Sequence, residues 1–264
     1  MIRLLTVGLF LLGWVGSSQL TIEVDTSRRT QPPKQIVFDL GGGVKMEFVR
    51  IKAGKFTMGD KDFDDATPHE VTLTKDYWMQ TTETTQAQWE SVMGKNPSEF
   101  KGAELPVETV SWDDCQEFLK KLNERMKEHL KDKKATLPTE AEWEYACRAG
   151  EKGKWGFGDD ENKLGDYAWY KKNSDEKTHP VGQKKANTWG LFDMHGNVWE
   201  WCEDWYGAYE KDAAADPTGP PKGDERVLRG GAWFSPRSHT RSTIRAGDHS
   251  AGNFQIGGLR AALR

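Results

Sequence analysis

The sequence predicts an α+β fold with much irregular structure, and three observations indicate this class. Short alternating stretches between residues 36 and 81 have the pattern of strands, and three stretches between residues 84 and 150 carry helix signals. Regular periodicity fades after residue 150. A chain of 264 residues can bury a substantial core, and we find no linker or internal repeat within it. We therefore expect one domain over residues 37–264.

The first nineteen residues have the pattern of a secretory signal peptide. A short positive start at residues 1–3 precedes twelve apolar residues and then small residues at 16–18. Twelve apolar residues are short for a membrane span, although an uncleaved anchor is the alternative. The polar residues 20–36 read as a flexible leader. We therefore expect a protein exported to the periplasm or outside the cell, with no membrane span after signal cleavage.

The predicted strands lie before residue 82, where apolar and polar side chains roughly alternate. The last two are expected to pair with each other. The five segments are IVFDL (36–40), VKMEFVRI (44–51), GKFTMG (54–59), HEVTLT (69–74) and DYWMQT (76–81).

Three helices follow, each with a recognisable end signal. The first covers residues 84–93 and stops at Gly94, and the second starts after Ser111, a natural N-cap. The third begins with a capping box of Thr139 and Glu142 and ends at Gly150. The apolar side chains of the second helix fall on one face: Cys115, Phe118, Leu119, Leu122 and Met126. This spacing predicts that Cys115 is a buried core thiol.

Composition and motifs exclude several functions. The net charge is −4 with 30% charged residues, so no basic excess supports binding of nucleic acid. His69 and Glu70 do not continue into the zinc motif HExxH, because position 73 is leucine. After residue 150 the chain is rich in Gly, Asp, Asn, Trp and Tyr, with short strand-like runs at 226–233 and 256–263. A long irregular region of this kind requires ligands, metals or aromatic packing to hold it.

Five motifs in order carry a family resemblance. They are PVETVSWDDCQEF (106–118), LPTEAEWEYACRAG (137–150), WGLFDMHGNVWEWCEDWYG (189–207), RVLRGGAW (226–233) and GGLRAA (257–262). From about Met46 to the C-terminus the sequence resembles the formylglycine-generating enzyme family, also called the sulfatase-modifying factor domain family. The resemblance implies the α+β fold of that family, which is related to C-type lectins and contains much irregular structure.

The resemblance also implies a chemistry. Members of the family oxidise a cysteine of a C-x-P-x-R peptide in sulfatases to formylglycine, using oxygen and a copper(I) ion held by two thiolates. Those cysteines follow the RGG[SA]W motif, where this chain has Ser235 and Thr240, and no cysteine follows Cys202. Hydroxyl groups do not hold Cu(I) as thiolates do, so we expect no standard copper-cysteine chemistry. A substitute site of Cys202, His239 and a substrate cysteine is the alternative.

The resemblance further implies a structural calcium ion at the GNVWEW stretch. Carried over by position, its ligands are the side chains of Asp193 and Glu200 and the backbone carbonyls of Gly196 and Val198. Calcium takes six to eight oxygen ligands of these kinds. The alternative is that Asp193 caps a turn and Glu200 pairs with a buried arginine. A second calcium site of the family lies around 167–176, but this loop departs from its pattern and we assign no ligands there.

Other residues near these motifs receive structural interpretations. His195 reads as a turn residue, and Cys202 as a structural thiol or as half of a disulfide with Cys147, because its acidic neighbours would raise its pKa. If the segment after residue 236 is helical, three arginines share one face, and they either pair with buried acids, as the resemblance implies, or form a strip that binds a peptide or anion: Arg237, Arg241 and Arg245.

Three functions remain open at this stage. The favoured one is an accessory module that binds a protein or peptide partner, a sulfatase being one candidate, on a scaffold held by calcium. The second is a formylglycine-generating oxidase. The third and weakest is a lectin-like glycan binder, which rests on fold analogy alone.

Overall fold

The computed structural model describes residues 35–252 and 256–264. The predicted signal peptide and almost all of the predicted leader therefore lie outside the described residues. The first strand begins at Gln35, two residues before the predicted start of the domain. No helix in the described part of the chain is long and apolar enough to span a bilayer.

All five predicted N-terminal strands are confirmed, but one predicted pairing is wrong. The strands are β1 (Gln35–Asp39), β2 (Lys45–Ile51), β3 (Gly54–Met58), β4 (His69–Leu73) and β5 (Tyr77–Gln80). β4 pairs with β3 rather than with β5, and β5 pairs with β2 in a different sheet. Every residue of β5 is buried, so this strand needs a neighbour on both edges and occupies the middle of its sheet.

The three predicted helices are also confirmed. They are α1 (Gln86–Met93), α2 (Trp112–Arg125) and α4 (Glu140–Arg148). A one-turn helix, α3 (Lys127–Leu130), directly follows α2. Each long helix starts with a complete capping box, in which the N-cap hydroxyl and the side chain three residues later satisfy each other's backbone amides. The N-caps are Thr85, Ser111 and Thr139.

Beyond these helices, the second half of the chain contributes short strands to three sheets, together with one short helix. They are β6 (Ala135–Thr136), α5 (Leu164–Tyr167), β7 (Trp199–Trp205), β8 (Ala214–Ala215), β9 (Arg226–Arg229), β10 (Arg245–Asp248), β11 (Gly257–Gly258) and β12 (Ala262–Leu263). The sheet orders are β1-β2-β5-β12-β6, β10-β9-β7-β11 and β3-β4-β8. Two 3-10 turns, Glu161–Lys163 and Arg237–Thr240, lie in the irregular region.

Two large apolar clusters form most of the core of the described domain, and a third, small cluster lies around Trp155 and Leu164 in the irregular region. In the first, the apolar face of α2 packs on α1 and the five-stranded sheet, with Trp89 and Phe118 stacked at 4.9 Å between ring centroids. In the second, α4 packs against the smaller sheets through Trp143 and Cys147. Buried ion pairs reinforce this second cluster, since Arg229 of β9 contacts the carboxylates of both Glu140 and Glu144 on α4. The irregular region is thereby fastened to a rigid helix.

Candidate functional site

The segment at the family's two cysteine positions, which are Ser235 and Thr240 in this chain, lies in a turn that follows a double glycine. Gly231 has φ +79°, and a Cβ there would lie 2.4 Å from the carbonyl oxygen of His239. Any larger residue at this position would push the two strands of the turn apart. The RGG sequence therefore brings the backbone of residue 231 directly beside the 3-10 turn Arg237–Thr240.

The hydroxyl groups of Ser235 and Thr240 serve this turn rather than face solvent. Ser235 is 1% exposed, and its Oγ accepts a hydrogen bond of 2.9 Å from the amide of Ala232. Thr240 is fully buried, and its Oγ1 donates to the Arg237 carbonyl at 2.9 Å and accepts from Trp155 Nε1 at 3.2 Å. Both side chains at the family's cysteine positions are thus occupied with internal hydrogen bonds.

His195 ties this turn to the core, which is more than the turn residue predicted from the sequence. Its Nδ1 donates to the Thr240 carbonyl at 2.8 Å, and its Nε2 accepts from the amide of Gly156 at 3.1 Å. Burial lowers the pKa of His195 to about 4, because a charged imidazolium would lose its hydration. The neutral imidazole therefore bridges two loops, and no ring nitrogen is left for acid–base chemistry.

The three cysteines are free and buried, so the disulfide considered between Cys147 and Cys202 is not formed. Burial raises the pKa of Cys147 to about 12, and burial together with the charges of Asp204 and Glu140 raises the pKa of Cys202. A thiol held protonated is a poor ligand for copper and a poor nucleophile. The predicted substitute site also fails, because Cys202 is fully buried whereas His239 lies on the surface.

The GNVWEW stretch begins in a tight turn and continues into β7 at Trp199. Gly196 has φ +120°, and a Cβ there would lie 2.1 Å from the carbonyl oxygen of Trp169, so glycine is required. Asp193 adopts φ +56° and is 3% exposed. Its Oδ2 accepts from the amide of Gly182 at 2.6 Å, while its Oδ1 has no hydrogen-bond partner within the described residues. Burial raises the pKa of Asp193 to about 6.

The side chain of Glu200 contacts Arg260 and Trp143. Arg260 reaches its Oε1 at 2.7 Å and its Oε2 at 2.9 Å, and Trp143 Nε1 donates to Oε2 at 2.7 Å. The alternative interpretation, a buried arginine beside Glu200, is therefore what the structure shows for this side chain. It does not decide the calcium prediction, which stays a prediction.

Sequence reasoning missed Glu83, which lies beside the same turn. Glu83 is fully buried and accepts hydrogen bonds from Asn197 Nδ2 at 2.7 Å and from the Val198 amide at 3.1 Å. Burial, followed by the charges of Asp193 and Glu200, raises its pKa. Glu83 is separated from the motif by more than a hundred residues, and no local pattern marks it.

The donor set partly fits a calcium ion. The free Oδ1 of Asp193 is a buried carboxylate oxygen, which is the kind of atom that a cation stabilises. In residues 35–252 and 256–264, however, no three Asp, Glu, His or Cys side chains converge as metal ligands. A calcium ion would thus depend on the backbone carbonyls of Gly196 and Val198, as the resemblance implies.

The three arginines that follow do not lie on one helix, so the condition for a shared helical face is not met. The 3-10 turn ends at Arg241, whose backbone is extended, and Arg245 lies in β10. Arg237 pairs with the exposed Glu161, and Arg241 lies 3.4 Å from Asp62. Arg245 contacts the buried Glu140 at 2.7 Å, a structural pair of the kind that the resemblance implied.

A surface cleft of about 470 Å³ opens next to the Ser235 turn. We call it the 161–173 cleft, and its lining residues are Glu161, Asn162, Gly165, Tyr170, Lys171, Lys172, Asn173, Pro236 and Arg237. Phe234, two residues before Pro236, is 41% exposed and is the large apolar side chain that the described surface presents to solvent.

The fold and this turn define the class of protein. Residues 43–264 match the sulfatase-modifying factor enzyme 1-like domain, and the chain belongs to that family. Its α+β architecture is accordingly the formylglycine-generating enzyme fold, related to C-type lectins.

Individual relatives differ in how much they share. The chain is 34% identical to the chaperone protein LppX of Paenibacillus barcinonensis over 73% of this chain and 80% of that protein. It is 36% identical to the formylglycine-generating enzyme of Streptomyces coelicolor over 51% of this chain, but spans only 44% of that enzyme.

Two solved structures share the architecture over most of the chain. Treponema denticola variable protein 1 has a TM-score of 0.83 at 32% identity, covering 88% of this chain and 100% of that chain. PvdO from Pseudomonas aeruginosa has a TM-score of 0.75 at 26% identity, covering 89% and 100%.

Proposed function

We propose that this chain is an exported accessory protein that binds a protein or peptide partner and does not oxidise cysteine by the copper route of its enzymatic relatives. The observation that carries the proposal is the state of Ser235 and Thr240. Both hydroxyls are buried and occupied by internal hydrogen bonds, and hydroxyl oxygens do not hold Cu(I) as thiolates do. In this proposal the chain keeps the scaffold of the family but lacks its copper-dependent oxidation of cysteine.

The remaining sulfur atoms do not restore a copper site. Cys147 approaches the turn through His195, with its Sγ 3.8 Å from Nε2, but the thiol is fully buried and its pKa is raised. Copper(I) in the family needs two thiolates, and one protonated buried thiol does not replace them. The donor set at this turn does not fit copper.

The surface around the turn supports binding. An exposed aromatic residue beside a cleft is the kind of anchor that protein interfaces use. The exposed Phe234 lies two residues before Pro236 of the cleft lining. Trp233 packs against Phe234 edge-to-face at 5.4 Å, and Phe100 packs against Trp233 in the same way at 5.9 Å. The similarity to LppX, a protein named as a chaperone, agrees with a role in contacting other proteins.

The second candidate is a formylglycine-generating oxidase, favoured by the 36% identity to the Streptomyces enzyme. The two functions make opposite predictions for one experiment. Purified chain is incubated with a C-x-P-x-R peptide, copper and oxygen, and the peptide is analysed for binding by fluorescence anisotropy and for oxidation by mass spectrometry. An accessory protein leaves the cysteine intact, whereas an oxidase converts it to the aldehyde.

Export is tested separately by expressing the chain from Met1 without an added N-terminal tag. Fractionation of the cells and N-terminal sequencing of the product decide this part of the proposal. We expect a mature protein outside the cytoplasm that begins near residue 20.

A further inference from the structure

The 161–173 cleft has two walls that are fixed to each other. The amide of Lys171 donates to the Ser235 carbonyl at 3.1 Å, which joins the loop after α5 to the turn at the family's cysteine positions. Ser174 Oγ donates to the Trp233 carbonyl at 2.8 Å and makes a second connection. Asn173 holds the loop itself, since its side chain bonds both Tyr170 N and the Ala168 carbonyl. The cleft is therefore a formed feature of the fold.

The lining of the 161–173 cleft carries an excess of positive charge. The lining contains Lys171, Lys172 and Arg237 against one carboxylate, Glu161. Glu161 is already paired with Arg237 and lies 3.7 Å from Lys154. Lys171 and Lys172 have no ion-pair partner within the part of the chain that the structure describes. Two uncompensated cations thus face a cleft on a protein whose net charge is −4.

We propose that the 161–173 cleft binds an acidic peptide segment of the partner protein, an inference that rests on the accessory function proposed above. Opposite charges at a partly enclosed surface attract and orient a ligand, and they reject ligands of like charge. Carboxylates of the segment contact Lys171 and Lys172, and an apolar residue of the segment packs on Phe234 and Pro236. A volume of about 470 Å³ accommodates a short segment rather than a folded domain.

The same charges select against the peptide of the enzymatic relatives. A C-x-P-x-R peptide carries an arginine, and a second positive charge in a cleft that contains Lys171 and Lys172 weakens binding. The cleft therefore implies a partner sequence rich in Asp or Glu, distinct from the sulfatase motif.

The test uses the whole mature chain and labelled peptides. A fluorescein-labelled peptide of seven residues with four glutamates and one tyrosine is compared with its glutamine counterpart and with a C-x-P-x-R peptide. The variant Lys171→Glu/Lys172→Glu removes the proposed charges. The matched control is Lys120→Glu/Lys121→Glu, a neighbouring lysine pair on α2 whose side chains are 67% and 42% exposed. Thermal unfolding confirms that both variants fold.

We expect the glutamate peptide to bind about tenfold or more tightly than the glutamine peptide, with a marked loss at high salt. The Lys171→Glu/Lys172→Glu variant should remove this preference, and the α2 control should keep it. Equal binding of the two peptides, an equal loss in both variants, or tighter binding of a thymidine oligonucleotide than of the glutamate peptide would overturn the proposal.

Failure of this inference can be told apart from failure of the proposed function. Failure of the accessory function appears as aldehyde on the C-x-P-x-R peptide, whereas failure of the acidic-segment inference appears only in the anisotropy of the glutamate peptide.

Discussion

Glu200 of β7 and Arg260, just before β12, form an ion pair in which both side chains are buried, at 1% and 0% exposure. Arg260 also donates to the carbonyls of Gln80 at 3.0 Å and Phe192 at 2.8 Å, so one guanidinium joins three segments distant in sequence. Trp143 of α4 completes the set by donating to Glu200. This pair fastens the GNVWEW turn to the five-stranded sheet.

Removing one member of this pair should be far more harmful than removing both. Arg260→Met leaves a buried carboxylate without its partner and should lower the free energy of unfolding by about 3–5 kcal/mol. The double variant Glu200→Gln/Arg260→Met removes the charges of both members of the pair and should be more stable than Arg260→Met. Arg237→Met breaks an exposed pair and serves as the control, with an expected loss of about 1 kcal/mol or less. Urea unfolding measures all three, and a cost below about 1 kcal/mol for Arg260→Met would show that the pair does not fasten the turn.

The hydroxyls at the family's cysteine positions should contribute to stability. Ser235→Ala leaves the buried amide of Ala232 without its acceptor, and Thr240→Val leaves the Arg237 carbonyl and Trp155 Nε1 without partners. Each change should cost about 1–3 kcal/mol in urea unfolding.

The control for these two variants is Ser238→Ala, since residue 238 is exposed in the same turn. Its expected effect is within about 0.5 kcal/mol. If all three variants unfold alike, the hydroxyls of Ser235 and Thr240 do not hold the turn.

His195 should make the protein less stable in acid. Its pKa is lowered from 6.5 to about 4 in the folded state, so between these values the unfolded chain binds a proton that the folded chain does not. The contribution of His195 to the free energy of unfolding is therefore fully present above about pH 6.5 and decreases as the pH falls toward 4. A shift of this size is worth on the order of 3 kcal/mol.

Asp193 has the opposite sign, because its raised pKa favours the folded state in acid, so the histidine must be isolated by comparison. The stability advantage of the natural chain over His195→Gln should shrink as the pH falls, measured by urea unfolding with a chelator present. His239→Gln, at an exposed position, should track the natural chain throughout. Parallel pH profiles for all three proteins would rule out a buried neutral His195.

Calcium should stabilise the folded chain if Asp193 is a ligand. The ion would satisfy the free Oδ1 and hold the carboxylate ionised, and at a hundredfold excess over its Kd it would add about 2.7 kcal/mol. Thermal unfolding with calcium and with chelator measures the difference.

Asp193→Asn tolerates the same left-handed backbone and should abolish the response, whereas Asp212→Asn at an exposed position should preserve it. If neither calcium nor chelator changes the melting temperature of the natural chain, the calcium prediction is wrong, and the ion pair of Glu200 and Arg260 alone stabilises this turn.

Local signals in the sequence predicted the elements well. Ser111 and Thr139 start their helices as expected, because a capping box is formed by residues only three apart. The partnership of β4 with β3 was missed, because strand pairing depends on which edges are left free after the sheets assemble. The spacing of four between the arginines does not by itself decide whether they share a face, because the backbone becomes extended at Arg241.

The candidate site was only partly predictable. The family resemblance marked Ser235 and Thr240, but it could not show that their hydroxyls are buried and bonded inward. Glu83 and Arg260 lie far along the chain from the turn they support, so no spacing rule connects them with Asp193 or Glu200. The 161–173 cleft likewise arises from segments more than sixty residues apart.

The central claim is that the scaffold persists without the copper-cysteine reaction, and the mass of a C-x-P-x-R peptide tests it most directly. The peptide is incubated with the mature chain, copper(I) and oxygen, with the Streptomyces coelicolor enzyme as the positive control and a chain-free tube as the negative control. We predict that the peptide keeps its cysteine thiol in the presence of this chain, at the level of the chain-free tube. Accumulation of the formylglycine aldehyde above that level, in proportion to the amount of chain added, would contradict the account.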